Sequence, residues 1–159
     1  MNAALLSSVK MDWQTPDNVL DLVRQVGPIA LDPCTTDDNP TKALAYYTPA
    51  TDGLSQSWTD SNGIVYVNPP YGRALPLWLD KCWHEADAGA EVLALVPART
   101  DTTWWQSNVL GASICFWRGR LRFKGAPHPA PFPSALLYWG YRDSQFRKVF
   151  EGFGWTVRA

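Results

Sequence analysis

The sequence has little histidine and little cysteine, and neither is clustered. His84 and His128 stand alone, and Cys34, Cys82 and Cys115 are far apart with no CxxC pair. Scattered cysteines in odd number favour reduced thiols over disulfides, and they leave no ligand set for a metal. Long apolar runs are also missing: no stretch of about 18 apolar residues occurs, so no span of the membrane-helix type is expected. The opening residues Met1-Asn2-Ala3-Ala4-Leu5-Leu6 lack the flanks of a secretory signal, and a cytoplasmic protein is expected. There is no excess of one charge, since the formal net charge is −1. That argues against broad, non-specific binding to polyanions, while leaving room for a local basic groove. Internal repeats and low-complexity segments are absent.

What is present is a chain of 159 residues, 46% apolar and 18% charged. This suits one globular domain over residues 1–159, with residues 1–11 expected to form a flexible amino terminus. Aromatic residues are plentiful, with nine Trp. Most should be core, but that many flat faces also suits a surface that handles bases.

Apolar runs and periodicity predict an α/β fold. Thr15 is placed to N-cap a helix with Pro16 at its first position, followed by the helical stripe Val19, Leu22, Val23 and Val26. Pro28 to Leu31 reads as a short buried strand ending at Asp32-Pro33-Cys34. Ile64 to Val67 reads as a second, and Glu91 to Pro97 as the clearest parallel strand, apolar on both faces. Between these two, Leu75, Trp78, Leu79, Cys82, Trp83 and Ala86 fall at helical spacing, with Gly89 as the stop. Strand, helix and strand make a βαβ unit. Thr102 or Asp101 is placed to cap a helix ending near Gly111. Ser113–Trp117 and Ser134–Trp139 read as further strands, and the tail as a helix followed by an extended piece. Only about twenty positions separate Asp32 from Asp52, whereas a βαβ unit takes roughly 30 or more. At least one helix between the first strands must be short or missing.

The second strand runs into Asn68-Pro69-Pro70-Tyr71-Gly72. The prolines cannot continue a ladder, so Asn68 sits on a stiff turn at a strand's carboxyl end, where ligands bind in open α/β sheets. As structure alone, this is a Pro-Pro turn with Asn68 as an ordinary turn residue. Further on, Arg118, Arg120, Arg122 and Lys124 alternate with Gly119, Leu121 and Phe123, with no acid among them. At period two these cations share one face, either as a charge-guarded edge strand or as a ribbon that contacts phosphates.

Asn-Pro-Pro-Tyr resembles the motif of S-adenosylmethionine-dependent amino-group methyltransferases, above all the DNA N6-adenine methyltransferases. Other stretches agree in order: Asp12 to Pro16, Leu31 to Cys34, Asp52-Gly53-Leu54 with Trp58, and Pro97 to Thr102. Gly119 to Phe123 and Pro131 to Leu136 complete a likeness to the small phage-type enzymes from about residue 12 to 139. One departure is that no glycine-rich loop follows Asp32-Pro33-Cys34.

The resemblance implies a Rossmann-like class I methyltransferase sheet, mostly parallel and compact, lacking a separate target-recognition domain. It implies methyl transfer to N6 of an adenine in DNA, flipped from duplex or taken from a single strand. The setting would be phage or prophage DNA modification and protection from restriction. Asn68, Pro69, Pro70 and Tyr71 are then the catalytic group. Trp13, Thr15, Pro16, Asp32, Pro33, Cys34, Asp52 and Leu54 are the candidates for S-adenosylmethionine, while the acid that would hold its ribose is unassigned. Arg73, Arg99, Thr100, Arg118, Arg120, Arg122 and Lys124 are the candidates for DNA. The alternatives are methylation of another planar amine or amide (cytosine N4, RNA or protein glutamine), and a nucleic-acid-binding module whose cofactor pocket has decayed.

Overall fold

A computed structural model describes residues 13–159. Its centre is one seven-stranded sheet, formed by β1 (Ile29–Asp32), β2 (Ala45–Tyr46), β3 (Ile64–Val67), β4 (Glu91–Pro97), β5 (Ser113–Trp117), β6 (Ser134–Trp139) and β7 (Gly154–Arg158), in the order β2-β1-β3-β4-β6-β5-β7. The helices are α1 (Asp17–Val26), α2 (Leu75–Asp87), α3 (Thr103–Asn108) and α4 (Asp143–Phe150).

The period-two alternation of the strands divides the interior into two cores. Val65, Val67, Val92, Ala94, Val96 and Leu137 pack on one face with Trp78 and Leu79 of α2 and Trp104 and Trp105 of α3. Ile64, Tyr66, Leu93, Leu95, Leu136 and Tyr138 pack on the other with Val19 and Val23 of α1 and Phe146 and Phe150 of α4. With both faces covered, the central strands are apolar throughout, as their sequence predicts.

The expectation of a mostly parallel sheet is corrected. β2, β1, β3 and β4 pair in parallel, but β4 with β6, β6 with β5, and β5 with β7 are antiparallel. The connection explains it. A parallel return needs a crossover, usually helical, whereas residues 118–133 are extended and proline-rich, so β6 enters beside β4 from the opposite end. The shortened first half is as expected: no α-helix lies between β1 and β2 or between β2 and β3, only a 3-10 turn at Gly53–Ser55.

Two local readings also change. Thr15 does not cap α1: Pro16 holds the N-cap position, without a side-chain cap, and the Thr15 hydroxyl bonds elsewhere. The 118–124 segment is not an edge strand. Gly119 turns with φ 77°, and a single bridge links Lys124 to Gln14. Alternation survives beyond that turn, with Leu121 and Phe123 buried and Arg120, Arg122 and Lys124 exposed. Thr102 does cap α3, accepting from the Trp105 N–H at 3.3 Å. No described helix is long and apolar enough to cross a membrane.

Candidate active site

The parallel strands β1, β3 and β4 run the same way, so their carboxyl ends gather Asp32, Asn68 and the loop after Pro97 at one end of the sheet. Asn68 directly follows β3. Its Nδ2 donates to the Trp13 carbonyl oxygen at 2.6 Å and to Thr15 Oγ1 at 3.2 Å. A carbonyl oxygen only accepts, so the amide nitrogen must face Trp13 and Oδ1 must face away. Oδ1 is buried and has no hydrogen-bond partner among the described residues. An orphaned buried acceptor costs about 1–3 kcal/mol, which makes a functional explanation worth seeking.

Beside it lies a narrow cleft. It is lined by Trp13, Gln14, Thr15 and Leu20 from α1 and the segment entering it, by Asp32, Cys34, Thr35, Thr36, Pro40 and Thr41 from the end of β1 and the loop after it, and by Asn68. Asp32 is 3% exposed; Oδ1 accepts from the Cys34 N–H at 3.1 Å and Oδ2 from the Thr41 hydroxyl at 2.8 Å. These contacts orient the carboxylate at the cleft.

Tyr71 turns back under the motif. Its hydroxyl donates to the Leu95 carbonyl at 3.0 Å, and burial pushes its pKa well above the ordinary value. The ring stacks loosely on Trp13, centroids 6.4 Å apart, and meets Phe132 edge-on at 5.5 Å. Arg99 lies over the Phe132 ring at 6.0 Å rather than in a salt bridge to Asp101. A second, wider groove shares Trp13 and Gln14 with the first and is lined also by Lys124, His128 and Pro131.

Of the residues singled out from sequence, the fold gathers Trp13, Thr15, Asp32, Cys34 and Asn68 at the cleft. Pro16 and Pro33 are buried just behind it. Asp52 and Leu54 are not in its lining. Asp52 is exposed in a left-handed conformation, and Leu54 borders a separate groove with Leu77 and Lys81. Arg73, Arg99, Thr100, Arg118, Arg120, Arg122 and Lys124 are all exposed. Sequence reasoning missed Gln14, Leu20, Thr35, Thr36, Pro40 and Thr41. Thr35 and Thr36 stand where a glycine-rich loop was sought, and that position was the one available signal.

Residues 2–131 match the family model described as DNA N-6-adenine-methyltransferase (Dam). The chain belongs to that family. A 71-residue stretch is also 37% identical to a protein of Escherichia coli (strain K12) described as "Putative methyltransferase YfdM", covering 42% of this chain and 77% of that protein. The Dam-family match takes in the cleft, the Asn-Pro-Pro-Tyr turn and the basic ribbon. It ends before β6, so β6, α4 and β7 lie beyond it.

The cleft of this Dam-family chain suits a cofactor with a cationic amino-acid end. A buried carboxylate, Asp32, is already oriented by two donors, and the hydroxyls of Thr35, Thr36 and Thr41 supply further polar partners.

Proposed function

We propose that the protein transfers a methyl group from S-adenosylmethionine to the N6 amino group of adenine in DNA. The observation that carries this reading is the buried Oδ1 of Asn68, without a partner among the described residues and held in place at the carboxyl end of β3. An exocyclic purine amine is a poor nucleophile because its lone pair is spread into the ring. An acceptor set against its N–H groups favours the pyramidal nitrogen and stabilises the charge that develops on it. Asn68 Oδ1 supplies one acceptor, and the Pro69 carbonyl is assigned as the second. Pro70 stiffens that turn, and Tyr71 with Trp13 forms the aromatic wall beside which the extruded base lies.

When bound, the cofactor supplies an electrophilic methyl on a positively charged sulfur. Asp32 would hold its ammonium, with Cys34, Thr15 and the Trp13 segment along its length. Asp52 and Leu54 would reach the adenine end only if the turn at Gly53–Ser55 moved, so they are the weakest members of that set.

Arg120, Arg122 and Lys124 form the phosphate-contacting ribbon, extended by Arg118, Arg99, Thr100 and Arg73 around the same end of the sheet. Base-edge readout falls to the loops at 99–105 and 118–133, which favours a short or relaxed target site. Such an enzyme suits modification of phage or prophage DNA against restriction.

The test is incubation with labelled cofactor and unmethylated DNA, followed by digestion and mass analysis of the nucleosides. N6-methyl-2′-deoxyadenosine supports the reading, while label in N4-methyl-2′-deoxycytidine, RNA or protein replaces it. Asn68→Ala should lose transfer by roughly two orders of magnitude or more while cofactor binding by calorimetry survives. A parent protein that gives no heat with the cofactor would favour the decayed binding module instead.

A further inference from the structure

We propose that Tyr66 and Thr15 are positioning residues: their paired hydroxyls hold the Asn68 amide with its oxygen, not its nitrogen, turned toward the substrate amine. This rests on the methyl-transfer reading above. Period two along β3 puts Tyr66 and Asn68 on one side of the sheet, the side on which residues 13–15 pass before entering α1. Tyr66 is wholly buried, and its hydroxyl lies 2.6 Å from Thr15 Oγ1. Thr15 Oγ1 in turn accepts from Asn68 Nδ2 at 3.2 Å.

The proton count is consistent in either direction. A threonine hydroxyl has one hydrogen and two lone pairs. Whichever hydroxyl donates to the other, Oγ1 keeps a lone pair for the amide. Burial raises the Tyr66 pKa well above the ordinary value, so its proton stays in place across the working pH range.

Two further observations separate this role from simple packing. Thr15 stands beside the helix start, where its hydroxyl would ordinarily cap, yet it makes no cap bond and serves β3 instead. A phenylalanine at position 66 would fill the same space without burying a polar atom, so the hydroxyl is there for Thr15. If the amide turned over, Oδ1 would meet the Trp13 carbonyl, acceptor against acceptor. The NH2 group would then face the substrate amine, donor against donor. The Trp13 carbonyl opposes that flip only while residues 13–15 stay against β3, and the Thr15–Tyr66 bond is a direct side-chain tie between them.

The experiment uses the full chain as Tyr66→Phe, Thr15→Val, the double variant and Thr15→Ser. It measures kcat and KM for DNA at saturating cofactor with DNA concentration varied, and hydrogen exchange of the Asn68 side-chain NH2 by NMR. Tyr66→Phe and Thr15→Val should each lower kcat by about tenfold, the scale of one hydrogen bond lost from the transition state. KM for DNA should be unchanged, and Asn68 exchange should quicken. The double variant should fall no further than the worse single one, because both remove the same tie. Thr15→Ser, which keeps the hydroxyl, should retain near-parent kcat and slow exchange. Parent-level kcat with parent-level exchange in a folded Tyr66→Phe protein overturns the assignment, as do losses that multiply in the double variant. If the parent itself methylates no adenine, the functional reading fails, and the exchange measurement still decides whether the two hydroxyls hold the amide.

Discussion

Replacing Asn68 by Asp changes one atom, and the structure sets the consequence. The nitrogen that donates to the Trp13 carbonyl at 2.6 Å and to Thr15 Oγ1 at 3.2 Å becomes an oxygen. The bond to the Trp13 carbonyl is lost at about 1 kcal/mol, since neither oxygen carries a hydrogen, and that carbonyl gains a negative oxygen as its neighbour. With an added cost for an unpaired charge in a buried corner, the destabilisation at neutral pH is about 3 kcal/mol. For a domain of this size that lowers Tm by roughly 6–12 °C. The penalty depends on pH with a definite sign. A protonated carboxyl restores one donor to Trp13, so the folded state holds its proton above the ordinary aspartate value of about 3.9. Between that value and the raised one, the folded state binds more protons than the unfolded state, and stability falls as pH rises. Scanning calorimetry of parent and Asn68→Asp at pH 4.5 and 7.5 should therefore show a Tm gap that is small at the lower pH and wide at the higher. An equal gap at both values, or none at pH 7.5, refutes the amide orientation on which the site rests.

Other outcomes follow from the same structure. A methyl group at Gly53 would overlap the Pro33 backbone carbonyl, which cannot swing aside as a side chain could, so Gly53→Ala should cost roughly 1–3 kcal/mol in thermal melts, while Gly72→Ala, with open space around it, should be near neutral. Arg120→Ala and Arg122→Ala should each weaken DNA binding and reduce the slope of log affinity against log salt by about 0.9, read from titrations at several salt concentrations; an unchanged slope removes that arginine from the phosphate ribbon. Glu91 lies at the opposite end of β4, where burial raises its pKa despite the Tyr138 hydroxyl and the Arg142 guanidinium at 3.3 Å. A carboxyl raised in the folded state costs stability as pH climbs past its ordinary value, so Tm of the parent should decline over that window more than Tm of Glu91→Gln.

Much of the sheet is legible in the sequence because β3, β4 and β6 are continuous apolar runs buried on both faces. Strand direction is not legible, since an apolar run reads the same either way. The clue lay in the connection, where residues 118–133 offer no crossover helix. Asn68 was legible through its prolines, and Asp32 through its place at a strand end. Thr15 was legible as a residue and misread as a cap, because a cap is a local pattern and its true partner lies 51 positions away in the chain. Thr41 escaped for the same reason. Its hydroxyl orients Asp32 across a turn-rich loop in which no periodicity marks one threonine above another.

The segment at 13–15 touches both the basic ribbon and the Asn-Pro-Pro-Tyr turn. The Gln14 carbonyl accepts from the Lys124 N–H at 2.9 Å, tying the segment to the end of the basic ribbon. The Trp13 carbonyl accepts from Asn68, and the Trp13 ring packs against Phe123 of the ribbon, with centroids 5.1 Å apart, and against Tyr71 of the motif. Lys124 also reaches Asp17 at 3.2 Å, but both side chains are exposed and that pair adds little. The backbone bonds and the aromatic contacts are what join ribbon to amide. On the proposed function, a phosphate at Arg120 or Arg122 and an amine at Asn68 would be fixed relative to each other by this one short, packed strap.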